Sequence, residues 1–146
     1  MKKRETFAKA VNPIEAGFTL HDILQVIVGA FVLAVPVGFT EEVWNLGATL
    51  PKINVVSIIA LTLFFIGIFT YYSYHRQHMH ANLKYHVVEF TKRVITTYVI
   101  SFVIVAILMA SIGITPLIPS ATSAFNIIVL VTFPAAIGAV ISDRIR

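Results

Sequence analysis

The chain has 146 residues, of which 58% are hydrophobic and 12% charged, and it contains no cysteine. This composition is too apolar for a soluble protein of this size, and it excludes disulfides, thiolate metal sites and a cysteine nucleophile. The formal net charge of +4 does not indicate nucleic-acid binding, because the basic residues flank apolar stretches, where membrane orientation and lipid headgroups explain them.

Four apolar stretches are long enough, or nearly so, to cross a bilayer as helices of roughly 20 residues. They predict an all-α, four-helix transmembrane bundle in a single domain comprising residues 1–146. The predicted spans are residues 23–44, 53–74, 94–112 and 125–141. The first span is expected to continue as one helix to Trp44. His21 and Asp22 are interpreted as its start, with Asp22 near the positive end of the helix dipole.

The basic residues predict the orientation of this bundle. Ten of the 11 Lys and Arg residues lie in the N-terminal arm, the linker after the second span and the C-terminal tail, and only Lys52 lies on the other side. Because basic loops stay cytoplasmic, a multi-pass protein of the cell membrane with both termini cytoplasmic is predicted. Between Gly67 and Gly113 there is no Gly or Pro, so the second and third helices are expected to extend into the cytoplasm, with a turn at Asn82.

Two carboxylates, Glu41 and Glu42, lie just inward of Trp44 at the outer end of the first span. Carboxylates at this depth are costly unless they face water, a cation or a partner. Small residues upstream recur at helical spacing, so this face could pack against copies of itself and form an acidic ring that attracts cations. The predicted ion-pathway residues of this homo-oligomer are Glu41, Glu42, Thr40, Gly38, Ala34 and Ala30. The alternative is that both acids lie in the headgroup layer and fix the depth of the helix.

Histidines are concentrated in the linker between the second and third spans. On a continuous helix, His75, His78, His86 and Glu89 would share one stripe. Imidazole and carboxylate suit zinc, and imidazole titrates near neutrality, so a metal or pH sensor is one hypothesis. The spacing matches no established metal signature, and the stripe requires that no turn falls at Asn82. The alternative is that these histidines line a polar interface or contact lipid phosphate.

Small residues also recur in the last span. Pro134, Ala135, Gly138 and Ala139 form pairs at the spacing that lets transmembrane helices approach closely, so helix packing is predicted for them. A proline hinge for gating is the alternative. The sequence has no phosphate-binding glycine loop and no serine elbow, so neither an enzymatic activity nor a cofactor is expected.

Motifs in the first and last spans resemble those of a known family. They are Gly29-Ala30, Pro36, residues 40–47 (Thr-Glu-Glu-Val-Trp-Asn-Leu-Gly) and residues 133–139 (Phe-Pro-Ala-Ala-Ile-Gly-Ala). They are similar to motifs of the domain-of-unknown-function family 2391, integral membrane proteins of bacteria and archaea, whereas the middle of the chain is similar only in hydropathy. In that family a hydrophobic residue stands where this chain has Glu41, so Glu42 aligns with the family's acid. The resemblance implies a membrane protein and supplies no activity.

These features together predict an oligomeric cation channel or ion transporter with an acidic outer entrance. The expected partners are membrane lipid, a cation and further copies of the chain, with no nucleic acid. The alternative is a non-transporting membrane module that binds a partner protein or lipid through its cytoplasmic face.

Overall fold

The computed structural model describes residues 20–77, 83–113 and 120–143, with the side chains of 73–77 and 83–86 outside the description. These ranges contain five helices and no strand: α1 (Leu20–Gly38), α2 (Glu41–Thr49), α3 (Lys52–Gln77), α4 (Leu83–Ser111) and α5 (Ala121–Ser142). All except α2 are long and apolar enough to cross a membrane. The predicted all-α fold with four transmembrane helices is therefore confirmed.

The prediction of one continuous first helix as far as Trp44 is wrong. The helix ends at Gly38 and α2 begins at Glu41, with Thr40 between them in an extended conformation (φ −85°, ψ 135°). Pro36 has no amide hydrogen for the preceding turn, which weakens α1 just before its end. The indole Nε1 of Trp44 donates to the carbonyl oxygen of Gly38 at 2.7 Å. This bond satisfies one of the carbonyl groups that the end of α1 leaves without a helical partner.

The second and third transmembrane helices are longer than their apolar parts. The apolar windows are Lys52–Tyr72 and Val87–Ser111, so α3 continues beyond its window to Gln77 and α4 begins before its window at Leu83. This agrees with the predicted extension of both helices past the membrane, and their cytoplasmic location stays a prediction. The predicted turn at Asn82 lies outside the described residues.

The last helix, α5, is at the centre of the bundle. It contacts all four other helices, and 56% of its apolar window is buried, against 22–28% for the other three spans. It runs antiparallel to α1, because Gly138 lies next to Gly29 whereas Val131 lies next to Gly38. The large apolar side chains exposed on α1, α3 and α4 are suited to lipid, since the bilayer solvates them.

Ser120 is the N-cap of α5, and its Oγ accepts a hydrogen bond from the backbone N–H of Ser123 at 3.1 Å. Such a bond satisfies an amide group that the first turn of a helix leaves unpaired. Ser120→Ala is therefore expected to lower the free energy of unfolding by about 1 kcal/mol, as measured by denaturant titration in mixed micelles. Thr122→Ala, at an exposed position in the first turn, is the control and should cost less than about 0.5 kcal/mol. Equal losses in the two variants would contradict the capping role.

Candidate functional site

Glu41 and Glu42 occupy the first turn of α2, and both are exposed. The positive end of the helix dipole favours carboxylates at this position. Thr40 precedes them, and its hydroxyl donates to the carbonyl oxygen of Val37 at 2.8 Å and makes no capping bond to α2. The two carboxylates are thus placed to meet water or a cation at this end of the bundle, which we call the Glu41 end.

The short helix α2 is fixed to the bundle at both of its ends. At its start, the indole of Trp44 bonds to Gly38 at the end of α1. At its other end, the side chain of Asn126 on α5 donates from Nδ2 to the carbonyl oxygens of Gly47 at 3.1 Å and Leu50 at 3.4 Å. Asn126 is buried, so its bond to Gly47 is shielded from solvent. The position of both acids therefore depends on contacts made by α1 and α5.

The small residues predicted to line an ion pathway lie on the buried side of α1. Ala30 and Ala34 are fully buried, in a cluster with side chains of α4 and α5, and a Cβ on Gly38 would overlap the methyl group of Met109. The chain's own helices therefore occupy the face that was expected to meet copies of the chain. The break after Gly38 also removes Glu41 from the helix that carries this face. The role of these residues in an ion pathway stays a prediction.

The small residues predicted for packing lie on the central helix. Ala135 and Ala139 are fully buried in the cluster that α5 shares with α1 and α4, and Gly138 approaches the backbone of Gly29 so closely that neither has room for a Cβ. Pro134 lies within α5, which continues through it. The structure thus brings three of the four residues to the core of the bundle, and the proline hinge stays a prediction.

Three charged residues lie at the opposite end of the bundle, which we call the Asp22 end. Asp22, in the first turn of α1, is only 4% exposed. Arg93 on α4 forms an ion pair with Asp143, the C-cap of α5, and their side chains are 32% and 13% exposed. Arg93, near the start of α4, is paired with Asp143 at the end of α5, and α1 runs antiparallel to α5, so Asp22 and Arg93 lie at the same end. Charges inside a membrane protein are costly and are expected to be paired or functional.

Polar side chains of α4 continue from Arg93 into the bundle. Thr97 and Ser101 follow Arg93 in steps of four and are almost completely buried, and Ser101 Oγ donates to the carbonyl oxygen of Thr97 at 2.8 Å. Beyond them lies a cluster of buried apolar side chains from α1, α4 and α5. The hydroxyl groups of Thr62 and Thr132 are also buried, and each donates to a carbonyl oxygen of its own helix. We call five residues of this apolar cluster the apolar layer; they are Ala34, Val105, Met109, Val131 and Ala135.

The predicted histidine stripe falls mostly outside the described side chains. His78 lies outside the described residues, and His75 and His86 belong to α3 and α4 by their backbone only. Glu89 is exposed on α4. In the part of the chain that the structure describes, no three His, Asp or Glu residues are grouped to hold a metal ion. The metal or pH sensor stays a prediction.

Several of these residues could not be assigned a role from the sequence. The pattern around Asp22 indicates only a helix start, and no motif includes Asn126, Asp143, Thr97 or Ser101. A signal was nevertheless present, because polar side chains within apolar stretches are expected to face the interior of a membrane protein. The sequence could indicate that they turn inward, but not which residues they meet.

The sequence model of a family described as "Putative integral membrane protein (DUF2391)" matches residues 2–145 of the chain. The match includes the middle of the chain as well as the motifs of the first and last spans, and it confirms the resemblance drawn from those motifs. No curated protein matches the chain, and no solved structure matches it.

Proposed function

Because the chain belongs to the DUF2391 family of integral membrane proteins, we propose that it acts within the membrane as a cation channel or transporter with Glu41 and Glu42 at its entrance. The observation that carries this proposal is the exposure of both carboxylates at one end of a bundle of four membrane-spanning helices. Acidic groups at the mouth of a pore raise the local concentration of cations.

Polar groups near both ends of the bundle support a route through each subunit. From the Asp22 end, Arg93, Thr97 and Ser101 lead towards the middle of the membrane, and Asn126 lies beneath α2 at the Glu41 end. In the proposed route, the apolar layer is the barrier between the two polar regions. Hydrophobic constrictions gate channels by excluding water. The described conformation is then the closed state of the proposed pathway, and side chains such as Met109 must move to open it.

A route between copies of the chain has less support. The small face of α1 is covered by α4 and α5, and the side chains exposed near the middle of the spans are apolar, such as Phe31, Phe64 and Val103. In our proposal the homo-oligomer is therefore an assembly in which each subunit has its own route. The basic residues orient it with the Glu41 end outside and both termini in the cytoplasm.

Cation flux into liposomes tests this proposal. We expect Glu42→Gln to reduce flux about tenfold at low ionic strength, because the carboxylate no longer concentrates cations at the entrance. The difference should shrink in high concentrations of an impermeant salt, since the Debye length falls from about 30 Å at 0.01 M to about 3 Å at 1 M. Potassium and proton fluxes would be measured separately with entrapped indicators.

The matched control is Glu89→Gln, which removes the same charge from an exposed position on α4 near the Asp22 end. It should leave the flux and its salt dependence close to those of the wild type. Flux that Glu42→Gln does not change, or no flux of either ion, would contradict the proposal. The absence of flux would favour the non-transporting module that binds protein or lipid, whereas flux that Glu42→Gln does not change would exclude Glu42 from the entrance.

A further inference from the structure

We propose that Asn126 is a positioning residue that clamps α2 onto the bundle and thereby places Glu41 and Glu42 at the entrance; the second part of this inference rests on the proposed function. The side chain of Asn126 donates both of its described hydrogen bonds to carbonyl groups at the C-terminal end of α2, Gly47 at 3.1 Å and Leu50 at 3.4 Å. The last carbonyls of a helix have no partner within the helix. Asn126 supplies these partners from another helix.

The contact between α2 and α5 has the close fit that such a clamp requires. Gly47 is buried, and a Cβ at this position would overlap Ile127, the neighbour of Asn126. A small residue therefore lets the α2 backbone come within hydrogen-bonding distance of the amide side chain. A carboxamide buried in an apolar span without hydrogen-bond partners would cost free energy. The carbonyl oxygens of α2 and the amide of Asn126 therefore supply each other's hydrogen-bond partners.

The N-terminal end of α2 is held to α1 by a short connection. Only Phe39 and Thr40 separate α1 from α2, and the indole of Trp44 bonds back to Gly38 at 2.7 Å. Releasing the Asn126 bonds would therefore let α2 pivot about this short connection. Glu41 and Glu42 lie next to the pivot, so the pivoting changes their orientation relative to the entrance without changing their charge.

Trp44 makes the position of α2 measurable, because it is the only tryptophan in the chain. Asn126→Leu fills a similar volume with an apolar side chain and removes the hydrogen-bond donor. In this variant we expect a red-shifted Trp44 emission and greater quenching by aqueous acrylamide. Losing these two hydrogen bonds should raise the population of displaced α2 about tenfold or more, which hydrogen exchange of the α2 amides reports. Asn126→Gln, which retains the carboxamide, should partly restore the wild-type values.

A second variant is expected to displace α2 by a change in α2 itself. Gly47→Ala leaves Asn126 intact but places a Cβ against Ile127, so it should give the same change in Trp44 emission and exchange. Asn45→Leu, at an exposed position on α2, is the control and should leave both unchanged. Far-UV circular dichroism and size-exclusion chromatography in detergent establish that each variant is folded.

The flux assay separates this inference from the proposed function. Displacing the acids should raise the cation concentration that gives half-maximal flux in Asn126→Leu, while the maximal flux is retained. If Glu42→Gln lowers flux but folded Asn126→Leu and Gly47→Ala leave Trp44 emission, exchange and flux unchanged, the clamp is overturned and the entrance stands. If no variant conducts but Trp44 moves as expected, the clamp stands and its role at a cation entrance is overturned.

Discussion

Replacing Gly29 with alanine is expected to lower the free energy of unfolding by about 1–3 kcal/mol, because α1 and α5 cross in backbone contact at this residue. A Cβ on Gly29 would overlap the carbonyl oxygen of Gly138 and lie 2.5 Å from the Cβ of Ser142. A helix backbone cannot move aside as a flexible side chain can, so the two helices must separate. Because this contact adjoins the cluster that holds Ala30 and Ala139, the separation also loosens the core.

Denaturation in mixed micelles, followed by far-UV circular dichroism, measures this loss. Gly138→Ala should behave like Gly29→Ala, since its Cβ meets the carbonyl oxygen of Gly29. The matched control is Gly67→Ala on α3, where the nearest atom to a new Cβ is Cζ of Phe90 at 3.9 Å. Alanine exceeds glycine in helix propensity by up to about 1 kcal/mol, so this variant should be as stable as the wild type or more so. Equal losses at Gly29 and Gly67 would refute the proposed crossing contact.

The four spans could be predicted because hydropathy is a local property of the sequence. A stretch of roughly 20 apolar residues must be solvated by lipid or by other helices in any arrangement of the bundle. The extension of α3 and α4 beyond their apolar windows followed from the absence of Gly and Pro between Gly67 and Gly113. None of these inferences requires knowledge of which helices are neighbours.

The local sequence also contains signals for the break between α1 and α2, but the length expected of a membrane span outweighs them. Pro36 and Gly38 weaken the end of a helix, and a threonine followed by Glu41 and Glu42 is typical of the start of the next. The expectation that one span needs roughly 20 residues led these residues to be included in the first helix. The helix α1 ends at Gly38 after 19 residues, which is close to the length that a span needs. The two acids therefore come after the end of the span.

The partners of the buried residues could not be predicted from one sequence. Small residues at steps of four indicate that α1 approaches something closely, and this pattern is the same for a copy of the chain and for α5. Arg93 and Asp143 are 50 residues apart, and nothing in their local sequence pairs them. Asn126 likewise bonds to carbonyl groups more than 70 residues earlier. These contacts depend on the packing of the whole bundle.

Arg93→Gln is expected to lower the free energy of unfolding by about 2–3 kcal/mol. Breaking a fully buried ion pair costs about 3–5 kcal/mol, and the effect should be smaller here because the Arg93 side chain is 32% exposed. The cost arises mainly from Asp143, whose side chain is 13% exposed and sits at the C-terminal end of α5. The negative end of the helix dipole disfavours a carboxylate there, so Asp143 depends on the guanidinium.

Because of this asymmetry, the two single variants are expected to lose different amounts of unfolding free energy. Asp143→Asn removes the carboxylate that the dipole disfavours, and the long side chain of Arg93 can still turn towards headgroups or water, so it should cost less than Arg93→Gln. The double variant Arg93→Gln/Asp143→Asn should be no less stable than Arg93→Gln alone, because it leaves no unpaired carboxylate. Lys92→Gln, at the exposed neighbouring position, is the control and should change stability by less than about 0.5 kcal/mol. If Arg93→Gln is no more destabilising than Lys92→Gln, the pair with Asp143 does not hold the Asp22 end together.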